Sequence, residues 1–388
     1  MGEYYNAVQL IVCIINKKMK TVHFITGKDP ISDYLNTPVR YNKRLLCDKG
    51  YKVKMLYQPS KRNLTCDILC LVSKPLLRMV KEGKSVFGET GPIISFIKEA
   101  KKYANKIIWM DVSDSTSVTH FELLPYVDLY LKKHLLKDKK LYQKEFYGGR
   151  IYTDFYNRKY GIVDSSPFDQ FFPLDMKLSH KVDLSWNMGM GEIYNAFSKT
   201  NHIRKIFPDF VRSNYKVPFV DPKKERKYDL FLRVSANLPR ETIAFQRKEF
   251  VNRLDKLLQL NKNITGSVKG LVPLKVYRKM MRNSKVSFGP FGWGELNVRE
   301  YEAHILGSAL VRPDISHMET WPLIFVAGET YQPVSWGLND LENVVLDLLA
   351  DDKKRIRIAQ NGQEAYYKSI SPKGMERFCD WFVQQIES

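Results

Sequence analysis

The stretch from Ser284 to Asp314 reads SKVSFGPFGWGELNVREYEAHILGSALVRPD. Its apolar opening, Lys285 to Gly289, predicts a strand. Gly289, Gly292 and Gly294 then crowd a turn that also carries Trp293 and Glu295. Glycine removes Cβ, so such a turn suits a close backbone approach or a positive φ. A helix is predicted to begin near Glu295 or Asn297, and the run SALVRPD predicts the next strand. Strand, glycine turn, helix and strand together make one unit of a parallel α/β sheet.

The same alternation extends outward in both directions. TVHFITG (Thr21–Gly27), YKVKMLY (Tyr51–Tyr57), DILCLVS (Asp67–Ser73), KIIWMDVSD (Lys106–Asp114) and VDLYLKK (Val127–Lys133) read as buried strands. Segments of helical spacing such as GPIISFIKEAKKYAN lie between several of them. VPFVDPKKERK (Val217–Lys227), with two prolines and a charge run, reads as a linker, and YDLFLRVSA (Tyr228–Ala236) restarts the pattern. Two α/β units facing across a cleft follow, with ligands expected at the carboxyl ends of the strands. The expected division is 1–215, 216–370 and a terminal helix over 371–388.

Composition agrees with a globular chain of 388 residues. The longest early apolar run, Ala7 to Ile15, is about half of the roughly 20 residues a spanning helix needs. The acidic Glu3 before it and the lysines after it make a poor signal peptide, so a cytoplasmic protein is expected. The five cysteines are scattered, and Cys70 sits in an apolar run that predicts a core thiol. No Cys/His cluster predicts a metal site. The formal net charge is +20, spread over both halves, and calls for an anionic partner.

In the opening stretch, that partner has a place to bind. Helix first-turn N–H groups attract an anion, typically phosphate, and Arg299 adds a charge-assisted contact. Glu302 lies three residues on, on the same helix face, where a carboxylate can accept two hydrogen bonds from a ribose. This combination describes a site for a nucleoside diphosphate.

The pattern Arg299, Tyr301, Glu302, Ala303, Gly307 and ALV resembles the nucleotide-sugar half of GT-B glycosyltransferases, especially the CgeB-like and group 1 families. The order of segments agrees over roughly Tyr228 to Ser371, including the helix start DLE (Asp340–Glu342) and the helix RIRIAQNGQEAYYKSIS. The N-terminal half agrees in outline, through WMDVSDS and VDLYLKKHLLKD. The resemblance implies two Rossmann-like domains, a last helix that crosses back to the first domain, and transfer of a sugar from a nucleotide diphosphate donor without a bound metal. It implies that Glu302 holds the donor ribose and that the loop Gly292, Trp293, Gly294 and Glu295 lies near the donor's sugar and phosphates. Arg240 is the implied second phosphate contact. The chain departs from the family's retaining GT-4-type members, which carry two glutamates eight positions apart. Eight places before Glu302 stands Gly294, with Glu295 one place off.

An inverting transfer needs a general base on the acceptor side. The candidates are Asp114, then Glu89 in FGETGP, then Asp111, with His120 also near a strand end. Asp114 followed by Ser115 and Thr116 could equally cap a helix. KKHLLKDKKLYQK (Lys132–Lys144), with six lysines and one aspartate, reads as a solvated helix face, or as a surface for an anionic membrane that carries a lipid-linked acceptor. In GMERFCDWFVQQI, Met375, Phe378, Trp381 and Phe382 form one packing stripe. The expected protein is a cytoplasmic or membrane-peripheral glycosyltransferase that acts on a glycan or lipid-linked acceptor, as in surface polysaccharide or glycoconjugate synthesis. The alternatives are a GT-B scaffold that binds glycan without catalysis, and a basic nucleic-acid-binding protein. The last lacks any helix-turn-helix, zinc-finger or RNP signature, so no nucleic acid is expected.

Overall fold

The computed structural model describes residues 19–27, 30–57, 60–81, 93–168, 170–191 and 217–388. The first half builds one sheet from β1 (Lys20–Ile25), β2 (Tyr51–Leu56), β3 (Cys66–Val72), β4 (Ala104–Asp111), β5 (Leu129–Lys132) and β6 (Val182–Leu184). Their order is β2-β1-β3-β4-β5-β6, and every pair is parallel. β3 is buried along nearly its whole length, as its unbroken apolar run requires of a strand covered on both faces. Cys66 and Cys70 are free thiols within it, and Cys70 is fully buried.

The second half repeats the plan. β7 (Tyr228–Phe231), β8 (Gly266–Ser267), β9 (Ser284–Phe288), β10 (Ala309–Pro313) and β11 (Gln332–Val334) lie in the order β8-β7-β9-β10-β11, again parallel. Both sheets therefore share the doubly wound order in which the chain moves to one side of its first strand and then to the other. This is the GT-B architecture, two Rossmann-like units. The segment before β7 lies against the second unit. Arg226 donates to the carbonyls of Arg282 at 3.0 Å, Ser284 at 3.2 Å and Leu306 at 3.1 Å, and also to Gly307.

Seven helices matter below: α1 (Pro30–Tyr41), α2 (Ile151–Tyr160), α3 (Glu241–Leu260), α4 (Leu274–Met281), α5 (Val298–Ile305), α6 (Asp352–Ile370) and α7 (Pro372–Glu387). Ser371 stops α6 and caps α7, its Oγ accepting from the Gly374 amide at 3.1 Å, with Pro372 in the first turn. α7 returns to the first sheet. Phe382 sits 6.0 Å from Phe24 of β1 and 5.9 Å from Trp186, while Trp186 donates to the Leu35 carbonyl of α1 at 2.7 Å. Trp381 stacks on Trp321 at 4.3 Å, and Met375 packs on the same core. The stripe Met375, Phe378, Trp381 and Phe382 is thus packing.

The lysine-rich run departs from expectation. Lys132 to Lys144 is not a helix with a wet face. It holds the end of β5, a two-residue ladder of Leu135–Leu136 with Met318–Glu319, and a short 3-10 turn. Lys132, Lys133, His134, Leu135, Leu136 and Tyr142 are all buried. Its leucines face the core and offer no apolar face to a membrane. No helix among the described residues is long and apolar enough to cross one.

Candidate functional site

A doubly wound sheet opens a crevice where its strand order reverses, at the carboxyl ends of the two strands that diverge. In the second unit these are β7 and β9. The chain leaves β9 through the turn Gly289–Leu296, and α5 follows it. The chain leaves β7 through Leu232–Arg240 into α3, and α4 leads into β9. Topology thus brings one face of α5, the start of α3 and the end of α4 to one place.

Five side chains meet there. Arg299, in the first turn of α5, donates to the Tyr277 hydroxyl. Its Nε and Nη1 are buried and have no hydrogen-bond partner among the described residues. Glu302, one turn on and 4% exposed, accepts from Arg278 Nε at 2.9 Å through Oε1. Its Oε2 takes no hydrogen bond from the described residues. Burial raises the Glu302 carboxyl above the ordinary range, against the pull of Arg278 and Arg299. Arg247 of α3 is the fifth. It donates through Nε to the Phe291 carbonyl at 2.8 Å and through Nη1 to the Ser235 carbonyl at 3.0 Å. Burial, and then repulsion from Arg299, lowers Arg247 to about 10. A buried guanidinium and a half-buried one therefore repel each other, and the half-buried one has donors with no partner among the described residues. Leaving buried charge unpaired is costly, and a cluster of this kind calls for an anion.

The helix start contributes less than the sequence suggests. Asn297 and Glu300 form a capping box, with the Asn297 amide donating to Glu300 Oε2 at 2.8 Å. The cap takes up the Glu300 amide as well. The amides of Val298 and Arg299 remain without a partner inside the helix.

The glycine turn is shaped by what it must pass. A Cβ on Gly292 would meet Arg247 Nη2 at 2.6 Å and Asn297 Oδ1 at 2.7 Å. A Cβ on Gly294 would overlap the backbone of Asp114 in the first unit. Glu295 faces the same way. It is wholly buried and accepts from the Thr116 amide at 3.1 Å, Thr116 Oγ1 at 2.7 Å and Ser115 Oγ at 3.1 Å. Burial alone would raise its carboxyl, but His317 and Thr116 bring it down to about 2. Glu295 therefore joins the two units and is not turned toward the Arg299 cluster. Trp293, at the tip of the turn, is 39% exposed.

Arg240 is placed differently from the implied phosphate contact. Its guanidinium donates to the Gly148 carbonyl of the first unit at 2.9 Å and lies over Trp293 and Phe168. The charges that act on it are those of Arg150 and Asp164, not Arg299. Arg247 occupies the position beside Arg299. It lies some fifty residues before Arg299 on another helix, and nothing local in the sequence marks it.

On the first unit, Asp111 and Asp114 follow the carboxyl end of β4, as expected. Asp111 is fully buried, and its oxygens are taken by Tyr130 Oη at 2.6 Å, Lys132 Nζ at 3.1 Å and the Ser113 amide at 2.8 Å. These partners outweigh burial and hold it well below the usual carboxylate range. A base must reach a substrate proton, and Asp111 reaches only protein, so it is set aside as the base. Asp114 retains 36% of its side-chain exposure. Lys74 Nζ donates to both its oxygens at 2.9 Å, and Lys133 Nζ lies at 3.4 Å. Against the effect of burial, these lysines lower it to about 2. The residues after Asp114 form no regular helix, so it caps none. His120 lies 3.3 Å from Glu122 and edge-on to Trp109. Glu89 lies outside the described residues.

No protein-family model and no curated protein sequence matches the chain. Among solved structures it is similar to HepE of Anabaena in complex with UDP, at 12% identity and a TM-score of 0.44, over 94% of this chain and 100% of that one. It is similar to an alpha-glucosyltransferase in complex with UDP and a 13-mer DNA containing an HMU base, at 9% identity and a TM-score of 0.44, over 95% and 100% of the two chains. It is also similar to S. aureus MnaA with UDP, at 10% identity and a TM-score of 0.41, over 95% and 98%.

Proposed function

We propose that the protein is a glycosyltransferase that takes a sugar from a nucleoside diphosphate sugar bound at the carboxyl ends of β7 and β9. The observation that carries this reading is the pair of buried Arg247 and half-buried Arg299, with Arg299 Nε and Nη1 lacking partners among the described residues, set beside the carboxylate of Glu302. A diphosphate supplies the missing negative charge. A ribose hydroxyl pair suits Glu302 Oε2, while Arg278 fixes the carboxylate through Oε1. As the glycosidic bond breaks, charge grows on the leaving diphosphate, and fixed guanidiniums in a water-poor site stabilise it most at that moment.

Asp114 is the base this reading assigns to the acceptor. Its backbone touches Gly294, so it stands where the acceptor side meets the loop beyond the donor phosphates. Held near 2 by Lys133 and Lys74, it is ionised across the neutral range but weakly basic, so it takes a proton from an acceptor hydroxyl only when the acceptor displaces Lys74. One observation favours a second reading, a scaffold that binds donor and glycan without transfer: Lys74 occupies both Asp114 oxygens. The test is release of nucleoside diphosphate from UDP- and GDP-sugars with mixed glycan acceptors. Acceptor-dependent release that fails in Asp114→Asn supports transfer with Asp114 as base. Tight nucleotide binding with no release under any acceptor supports the scaffold.

A further inference from the structure

The other two arginines of this region form a separate cluster. Arg150 begins α2 in the first unit and is 8% exposed. It donates through Nε to the Trp293 carbonyl at 3.0 Å and through Nη1 to the Gly148 carbonyl at 3.1 Å. Arg240 of the second unit donates to that same carbonyl at 2.9 Å. Both guanidiniums also lie over the Trp293 indole, at 5.7 Å and 5.6 Å. Arg240 lies over Phe168 as well, at 5.5 Å. Two cations thus converge on one neutral carbonyl and one ring.

No carboxylate among the described residues pairs with either. The acid that acts on Arg240 is Asp164, whose Oδ1 accepts from the Thr242 amide at 2.8 Å and Thr242 Oγ1 at 2.9 Å, with the same hydroxyl 3.1 Å from Oδ2. Indole faces and a shared carbonyl weaken the repulsion between the guanidiniums without cancelling it. Arg240 retains free donors toward solvent, beside a ring that is itself exposed. An oxyanion bridging the two guanidiniums would complete the cluster, and the Trp293 face beside it suits the apolar side of a sugar ring.

We propose that Arg150, Arg240 and Trp293 form a subsite, shared by the two units, for a sugar that carries an oxyanion, and that the acceptor glycan is therefore acidic. That this sugar is the acceptor rests on the transferase reading above. The subsite draws Arg150, Gly148 and Phe168 from the unit opposite the donor cluster, and it is distinct from the Arg247–Arg299 pair. A carboxylate and a phosphate would satisfy the same donors.

The test uses the full chain and three probes, glucose, glucuronic acid and glucose 6-phosphate, with affinities measured by ligand-observed NMR on the wild type, Arg240→Gln and Arg299→Gln. UDP and GDP are titrated into the same samples. At least one acidic sugar should bind about tenfold more tightly than glucose, which corresponds to one charge-assisted contact. Whichever of glucuronic acid and glucose 6-phosphate wins identifies the anion. Arg240→Gln should remove the preference and keep nucleotide affinity, whereas Arg299→Gln should do the reverse. Equal binding of all three sugars to the wild type, or a preference that survives Arg240→Gln, overturns the subsite. Nucleotide binding without acid preference defeats only the subsite. Acid preference lost in Arg240→Gln, but without nucleotide binding, keeps the subsite and defeats the donor reading.

Discussion

The carboxyl edges of the two sheets face one another, and they treat charge in opposite ways. On the first unit the acids and cations are matched: Asp111 with Lys132, and Asp114 with Lys74 and Lys133. On the second, Arg247 and Arg299 are pressed together, and part of the Arg299 guanidinium is buried with no partner. Both acids of the first edge are held by lysines, whereas on the second edge part of Arg299 has no partner among the described residues. Under the proposed reading, this difference assigns the nucleotide's anion to the second edge. It also turns similar mutations into different outcomes.

The largest effect is expected in catalysis. Asp114→Asn should lower turnover by roughly 10²–10⁴-fold, the usual contribution of a general base, with nucleotide affinity unchanged. Steady-state kinetics alongside calorimetric titration with the nucleotide check both halves of this statement. Unchanged turnover would return the base to Glu89 or to no residue on this edge.

Charge removal at the two edges sharpens the comparison. Asp111→Ala strands Lys132 in the core and should cost about 3–5 kcal/mol in urea unfolding. Arg299→Gln leaves Glu302 paired with Arg278 and removes buried donors that have no partner among the described residues, so stability should change little. Its cost should fall on the nucleotide instead, at about 1.5–3 kcal/mol, the value of hydrogen bonds to a charged group. If both variants destabilise alike, the two edges do not differ in the way described.

Next is the contact between the units. Glu295→Ala removes the acceptor for Thr116 and Ser115 and should cost about 1–3 kcal/mol for the stranded donors. The loss should show as weaker coupling of the two halves in limited proteolysis. An unchanged digestion pattern would mean that the other contacts between the units, such as Arg240 with Gly148 and Leu135–Leu136 with Met318–Glu319, hold them without it.

The last prediction concerns pH. His304 is fully buried, stacked on Phe325, and burial lowers it to about 3. Below the ordinary histidine value of 6.5 the unfolded chain takes up a proton that the folded chain refuses. Stability should therefore fall as pH drops from 6.5 toward 3, by about 1.4 kcal/mol per unit. His304→Phe should reduce the slope but not remove it, because His134 is also buried and depressed. Glu295 and Asp114, both depressed, add their own losses only as pH falls from about 4 through about 2.

The sequence showed the second edge better than the first. Arg299 and Glu302 stand three apart on one helix, so a local rule puts them on one face, and the glycines before them announce a tight passage. Arg247 was invisible because its place beside Arg299 depends on how α3 lies against α5. Arg240 misled for the same reason, since only the packed fold turns it toward Gly148 of the other unit. The position of Asp114 just past β4 was legible because strand ends are, but the lysines that hold it were not. Lys132 and Lys133 were read as solvated because a run of lysines normally is. In the fold they continue β5 into the core, and the acids that neutralise them arrive from the end of the neighbouring strand. The alternation of apolar runs and helices sufficed for the longer strands of both sheets, because parallel strands covered on both faces leave that signature in any order, but not for the short edge strands Val182–Leu184 and Gly266–Ser267. The strand order itself came only from the pairing.

The central claim is that the second edge is completed by a nucleoside diphosphate, and thermal stability against UDP, GDP and their sugar conjugates tests it most directly, on the wild type and Arg299→Gln. At about 100 Kd a ligand of the folded state adds roughly 2.7 kcal/mol, a shift easily seen in melting temperature. The account predicts a shift with one nucleotide family in the wild type and its loss in the variant. No shift with any nucleotide, or the same shift in both proteins, would contradict it.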